Sequence, residues 1–377
     1  MQNSYSSILL SCAAFVFVML RVPELGQAAD PGPAPIGGYG VDVRAFGAKG
    51  DGVTDDTNAI KAAIASRPGG RATIYLPSIG PGYLVTDTLL VSHDRMNFVG
   101  DGKQATVIMF APTSPKPLFR FANGRNSVYQ CSIRGLGIGG TNATQKTAVE
   151  AIDVREFNFE DVAIYPFTGG GKSIGLHIAG RELVRVVNVS IHADRPIVIS
   201  ANANNGISLD HSHFEDVYLI AADAQPCIQI ESGVNLSNVT FDGSQAWVGG
   251  TYGLYWNDTT SSRVSWALRI DNLRREQSKD PSAYSIYISH HAGLQALYMN
   301  NVFTDVSQNG VFLAGTRWSS IDHLVYPGKS QAIAADAASN EHLVIQNSFF
   351  QRGSTTHPAT PRSAGHPDGW WNGELKQ

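Results

Sequence analysis

One six-residue pattern recurs along this chain: apolar, any, Asn/Asp/Gly, apolar, any, usually apolar. It reads Ile133-Arg-Gly-Leu-Gly-Ile138, Phe159-Glu-Asp-Val-Ala-Ile164, Val186-Val-Asn-Val-Ser-Ile191, Phe214-Glu-Asp-Val-Tyr-Leu219 and Leu236-Ser-Asn-Val-Thr-Phe241. Weaker copies start at Ile270, Met299, Ile321 and Ile345, so the starts lie 26, 27, 28, 22, 34, 29, 22 and 24 residues apart. Most copies are followed by a second apolar strand, as in Ile197-Val-Ile199, Ile228-Gln-Ile230, Ile286-Tyr-Ile288 and Val311-Phe-Leu313. Period-two alternation makes these strands, and residues 130–350 show no amphipathic helix. Such a unit buries its apolar residues only by stacking on the next copy. The expected fold is all-β: a parallel β-solenoid with coils about 4.8 Å apart. Val189 and Val217 are then expected to be buried on adjacent coils, with Leu219 pointing inward.

The third position reads Gly135, Asp161, Asn188, Asp216, Asn238, Asn272, Asn301, His323 and Asn347. It interrupts the alternation between two inward residues, so it marks a bend. Asn tolerates the left-handed conformation and can bond the amide above and below it in a stack. Asp161 and Asp216 are therefore read as bend residues, not catalytic ones.

Composition narrows the partners. Charged residues are only 16% of the chain and the net charge is −4. No basic block is present, which argues against nucleic acid, whose binding needs clustered Lys and Arg. Three Cys in 377 residues exclude a disulfide scaffold. Cys131 and Cys227 fall three coils apart, about 14 Å. That is beyond the roughly 7 Å limit for a bridge, so both are expected to be free.

The ends differ from the repeats. Ile8 to Leu20 is an apolar run followed by the small residues Gly26, Ala28 and Ala29. It reads as an export signal over residues 1–28, with a secreted or periplasmic product. Met1 to Ser7 carries no Lys or Arg, which leaves an uncleaved anchor open. No later segment is apolar enough to span a membrane. A cap should precede the coils: a strand over Val41 to Phe46, a turn over 47–52, and a helix to about Ala65 capped by Thr54 or Asp55. Ala72 to Leu76 follows as a strand. Residues 351–377 look like a loose tail, and Trp370-Trp371 could fold back over the last coil.

Tyr39-Gly-Val-Asp-Val-Arg-Ala-Phe-Gly-Ala-Lys-Gly-Asp-Gly-Val-Thr-Asp-Asp-Thr-Asn-Ala-Ile60 closely resembles the opening of pectate-lyase-superfamily right-handed β-helix proteins. Ile74-Tyr-Leu-Pro77 and Gly82-Tyr-Leu-Val85 are similar to their next strand pair. The resemblance covers 39–350 and implies a single-stranded right-handed parallel β-helix, the pectin-lyase-like fold. It also implies a secreted enzyme on acidic or other polysaccharides: a glycosidase, a lyase or a uronate epimerase. The Asn-Thr-Asp, Gly-His-Gly and Arg-Ile-Lys motifs of polygalacturonases are absent, as is the Asp-Pro-His-Asp signature of alginate epimerases. No catalytic residue is carried over. Asp55-Asp56 lies in the capping motif, where it serves the helix.

Candidate site residues come from the loops after each repeat. They offer His192, Asp194 and Arg195; Asp223; Asp242; Arg274, Arg275 and Glu276; and Asp305. Stacking would bring such groups within about 5–10 Å of one another. That separation suits paired carboxylates in glycoside hydrolysis, drawn from Asp194, Asp223, Asp242 and Glu276. A lyase would instead need a cation or Ca2+ to neutralise a uronate, and a base such as Arg275. Arg274 and Arg275 face opposite ways, and Arg275 is expected in the groove. The longest repeat carries Trp247, Tyr252, Tyr255, Trp256 and Trp266. Trp247, Tyr252, Tyr255 and Trp256 are candidate sugar platforms, since flat rings cover sugar C–H surface. The expected partner is thus a polysaccharide. The alternative from another class is a non-catalytic glycan-binding or adhesion solenoid. His211-x-His213 and His290-His291 lack a third ligand at fixed spacing, so surface or groove histidine is preferred to metal. The glycine patterns at 135–140 and 171–175 lack the helix that nucleotide or nucleophile motifs need, and read as turns.

Overall fold

The structure is a computed structural model. It describes residues 40–375, apart from 125–126, 141–142, 202–208, 279, 306, 329–330, 336–339 and 351–369. The leader read at 1–28 lies outside the described residues.

About ten coils wind as a parallel β-solenoid. Each coil contributes to three sheets. Sheet A carries Met96–Gly100, Ser132–Arg134, Asn158–Glu160 and the start of Arg185–Ala193. Sheet B carries Val107–Phe110, Gly137–Gly140, Ala163–Phe167 and the end of Arg185–Ala193. Sheet C carries Lys116–Phe121, Lys146–Ile152, Ile174–Ala179, Arg195–Ile199, Ile228–Ile230 and Leu254–Asp258. Later strands are longer and turn corners: Leu209–Ala221, Ser265–Glu276, Tyr284–Phe303 and Asn309–Tyr326. Alternation sends every second side chain into the bore. Val189 pairs with Val217, Ile191 with Leu219, and all four are buried as expected.

Two columns of left-handed residues bound sheet A. The column after the sheet runs Gly135, Asp161, Asn188, Asp216, Gly243, Asn272, Asn301, His323 and Asn347, at φ between 47° and 67°. Asn188 Nδ2 donates to Asp161 Oδ1 (3.1 Å), and Asn301 Nδ2 to Asn272 Oδ1 (2.9 Å). The bend reading of Asp161 and Asp216 therefore agrees with the structure. The column before the sheet includes Glu156, Leu183, His211, Asn238, Ala267, Ala296 and Trp318, also at positive φ.

Asn238 thus belongs to the other column. Leu236 pairs with Leu209, and Phe241, not Leu236, pairs with Phe214. The pattern fits both corners, because each has the form apolar, any, bend residue, apolar. Moving that start to Phe241 replaces the spacings of 22 and 34 by 27 and 29. The long repeat is no insertion. It is an ordinary coil, with Gln245–Gly249 on sheet B and Leu254–Asp258 on sheet C.

The N-terminal cap also differs in detail. The expected strand over 41–46 is Gly40–Asp42 followed by a tight turn Val43–Phe46, which Gly47 ends at φ 94°. The helix α1, Thr57–Ala65, starts after Asp56. Asp55 Oδ1 accepts from the Thr57 amide (3.0 Å), while Asp56 accepts from Lys49 and Gly50 and so pins the turn. Ile60 and Ala63 close the bore. At the other end the tail supplies a strand, Trp370–Leu375, antiparallel to Glu341–Phe350, which covers its free edge. Cys131 and Cys227 are free and buried, and burial pushes each thiol up to about 11.

Candidate functional site

Sheet A turns its outer face to water on every coil. The outward residues flank the first apolar residue of each repeat. Along one row Arg185 pairs with His213, His213 with Thr240, Thr240 with Arg269 and Arg269 with Tyr298. In the next row Val187 pairs with Glu215 and Glu215 with Asp242. Arg185, His213 and Arg269 of one row therefore stand beside the carboxylates Glu215 and Asp242 of the next.

His213 stands where the two rows meet. Its Nε2 lies 3.1 Å from Asp242 Oδ1 and 3.6 Å from Glu215 Oε2. Arg185 lies 3.6 Å from the same Glu215 oxygen. Arg269 pairs with Asp271, and Tyr298 is 46% exposed beyond it. Next to this face a shallow groove of about 380 Å³ is lined by Glu156, Asn158, Leu183, Arg185, His211 and His213. A single-residue bend on either side leaves the face unwalled. Proton transfer, charge neutralisation and access to a long ligand are all available here.

Of the nine residues expected at the site, only Asp242 reaches this face. Asp194 is buried, and its carboxylate accepts the amides of Gly169 (3.0 Å) and Ser173 (2.9 Å). It anchors the neighbouring loop and is in no groove. Asp223 is exposed in the turn from sheet B to sheet C, and Glu276, paired with Arg274, borders the same turn. Asp305 is buried and holds the amides of Ser278 and Ser307. Arg275 is wholly buried. It occupies the inward position that Trp247 fills on the paired coil, and it donates to the carbonyls of Trp247, Gly250 and Glu276. The alternation was right and the choice was wrong: Arg274 is the exposed one. Burial lowers the Arg275 pKa, yet leaves it no path to a ligand.

The aromatic expectation divides in the same way. Trp247 and Trp256 are fully buried, because both stand at inward positions of their coil. They cannot act as platforms. Tyr252 and Tyr255 are half-buried on the outer face of sheet C. Tyr255 stacks on Tyr287 (5.3 Å, 29°) and Tyr287 on Phe312 (4.5 Å, 8°). Tyr252 packs 4.6 Å from Tyr255. These contacts take up ring faces that a sugar would need. Among the described residues the exposed indoles are Trp266 and Trp318.

A second polar cluster has the composition of a hydrolytic triad without its chemistry. Ser265 Oγ lies 2.8 Å from His290 Nε2, and His290 Nδ1 3.5 Å from Asp258 Oδ2. The Gly293 amide donates to Nδ1 (3.1 Å), so that nitrogen carries no proton and Nε2 donates to Ser265. A nucleophile needs Nε2 to accept instead. Ser265 also accepts the Leu236 amide and is wholly buried. The cluster is structural.

Arg185, Glu215 and Arg269 are not singled out by the inward residues of the triplets, and His213, read from the sequence as surface or groove histidine, gains its carboxylate neighbours only from the fold. Their signal was position: each immediately precedes or follows the apolar residue that opens a repeat.

Comparison with known proteins fits this architecture. Alginate lyase 7 of Azotobacter vinelandii is 30% identical over 207 residues, 52% of this chain and 22% of that protein. Mannuronan C5-epimerase AlgE1 of the same organism is 43% identical over 72 residues, 18% of this chain and 5% of that protein. The chain therefore spans about a fifth or less of the length of these relatives. The Streptococcus pneumoniae adhesin PfbA has the same fold, with a TM-score of 0.53 at 13% identity, covering 85% of this chain and 99% of that one. The profile of the rhamnogalacturonase A/epimerase, pectate lyase-like family matches residues 40–272. The chain belongs to that family.

Proposed function

We propose that this chain is an enzyme acting on a uronate-containing polysaccharide, with its site on the outer face of sheet A. One observation carries the reading: His213 Nε2 lies 3.1 Å from Asp242 Oδ1, beside Glu215 and in a row between Arg185 and Arg269, on an open face. The names of the relatives, an alginate lyase and a mannuronan epimerase, support a polyuronate. In β-elimination His213 takes the proton on the carbon next to the uronate carboxylate. Asp242 holds the imidazole and stabilises its charged form. The carbon–oxygen bond to the leaving sugar breaks, a double bond forms between the two carbons, and the departing oxygen takes a proton from solvent. Arg185 and Arg269 neutralise the carboxylate, which makes that proton acidic. For the Ca2+ that a lyase could use, the described residues place no three His, Cys, Asp or Glu together as ligands. The reading gives the neutralising charge to Arg185 and Arg269, which stand in one row with His213. The setting we propose is outside the cytoplasm, on the strength of the apolar run Ile8 to Leu20.

The test is a panel of polyuronates followed by ultraviolet absorbance of the unsaturated product. The wild type is expected to generate it, and His213→Ala to lose at least about a hundredfold in turnover, the usual share of a general base. Full activity in His213→Ala would sink the assignment. Saturated reducing ends would favour a second reading, hydrolysis. Glu215 and Asp242 are register partners on adjacent strands, whose backbones lie about 4.8 Å apart, and a retaining mechanism needs two carboxyl groups about 5 Å apart.

A further inference from the structure

The register of Tyr284–Phe303 against Asn309–Tyr326 breaks at one place. Ser289 pairs with Ala314 and Leu294 with Thr316, so His290 to Gly293 oppose the single residue Gly315. The surplus residues border a cleft of about 440 Å³. Asp258, Thr259, His291, Gly293, Arg317 and Glu341 line it. Bulges of this kind commonly re-aim side chains beside functional sites.

The cleft is held rigid from below. Asp258 is buried and accepts the amides of Gly233 (2.8 Å), Ser261 (3.1 Å) and His291 (3.2 Å). The buried His290 bonds Ser265 on one side and the Gly293 amide on the other. Glycine is needed at the break. Gly315 has φ 74°, and a Cβ there would meet the His290 carbonyl at 2.3 Å. A Cβ on Gly293 would stand 4.0 Å from Arg317 Nε, in the space before the guanidinium.

The chemistry of the walls fits an acidic sugar. Glu341 lies 3.3 Å from Arg317 Nε, and the partly exposed guanidinium presents a planar fork that matches a carboxylate. The exposed His291 and the hydroxyls of Thr259 and Ser289 can bond sugar hydroxyls. Two exposed indoles lie beyond the cleft lining, on the strands that carry Arg317 and its register column. Trp318 follows Arg317, is 55% exposed and sits at φ 47°. That is the left-handed corner position shared by Leu183, Ala267 and Ala296 on other coils. Trp266, 51% exposed, is two coils away in the column Trp266, Gln295, Arg317. That column borders the bend leading to Arg269 and Tyr298 on sheet A.

We propose that this bulge cleft is a second saccharide subsite, which binds a uronate unit of the polymer through Arg317 and stacks its ring on Trp318. The inference rests on the reading that the chain binds polyuronate. The subsite extends the sheet A face around the corner and adds affinity to long chains.

Calorimetric titration with uronate oligosaccharides and with neutral oligosaccharides of equal length tests this. A His213→Ala background keeps the ligand intact. Arg317→Ala and Trp318→Ala are each expected to weaken uronate binding at least tenfold, and Arg317→Lys to recover part of it. Circular dichroism checks that each variant is folded, and Trp318 serves as the probe if the Arg317 variant is not. Binding of uronates unchanged in both variants overturns the subsite and leaves the proposed function standing. An equal loss for neutral oligosaccharides overturns the carboxylate role of Arg317. No binding of any uronate in the background, together with no turnover by the wild type, overturns both.

Discussion

At the residue scale, position in the alternation outweighs residue type. Arg275 looks like site chemistry but stands where neighbouring coils place Leu219 and Trp247. Its guanidinium replaces water for three backbone carbonyls and has no carboxylate in hydrogen-bond contact. Removing it strands those carbonyls in the interior. Arg275→Ala is therefore expected to cost roughly 3 kcal/mol in chemical denaturation. The variant that remains folded should keep its turnover. A large loss of activity at unchanged stability would return Arg275 to the site. The exposed Arg274 beside it is expected to be replaceable without effect on stability, since an exposed ion pair contributes little.

At the element scale, the corner is the unit that sets register. Each corner after sheet A needs one left-handed residue, and Asn supplies it at Asn188, Asn272, Asn301 and Asn347. Asn272 does two things: it adopts φ 52° and accepts from the Asn301 amide. Alanine can do neither well, whereas glycine recovers the conformation. Asn272→Ala is expected to cost about 1 kcal/mol more than Asn272→Gly, from the strain of a Cβ at positive φ. Equal midpoints for the two variants in urea would show that the corner is not conformationally limiting. The corner also explains the single misplaced repeat. Both corners of sheet A demand the same local sequence, so Leu236 to Phe241 fits either. Only pairing with Leu209 and Phe214 separates them.

At the scale of the whole molecule, the later coils are tied together by the Asp258 and His290 network, and that network is sensitive to acid. Burial pushes the His290 pKa below its ordinary 6.5, outweighing the pull of Asp258. The unfolded chain then binds more protons than the folded one below pH 6.5, so stability falls as pH falls. Burial alone would raise the Asp258 pKa, but the amides of Gly233, Ser261 and Thr260 and the neighbouring His290 bring it down. Its contribution is present above about pH 4 and is lost as pH drops through the lower folded value. The melting temperature is expected to fall between pH 7 and 5, and to fall less in His290→Gln. Parallel slopes would remove His290 from the acid response. Much of this architecture is legible without coordinates. The repeat by itself determines a stacked all-β solenoid, because strands of that length bury nothing alone. The identity of the third residue determines the corners, because few residues tolerate positive φ. The tertiary structure alone decided which side of each strand faces water and which coils meet. Period two specifies alternation but not its phase, and a phase error of one residue sends Arg275 and Trp256 outward, while nothing local shows that His213 faces Asp242 of the next coil. The site joins residues of separate coils, 28 apart in the case of Arg185 and His213, and only the pairing register brings them side by side.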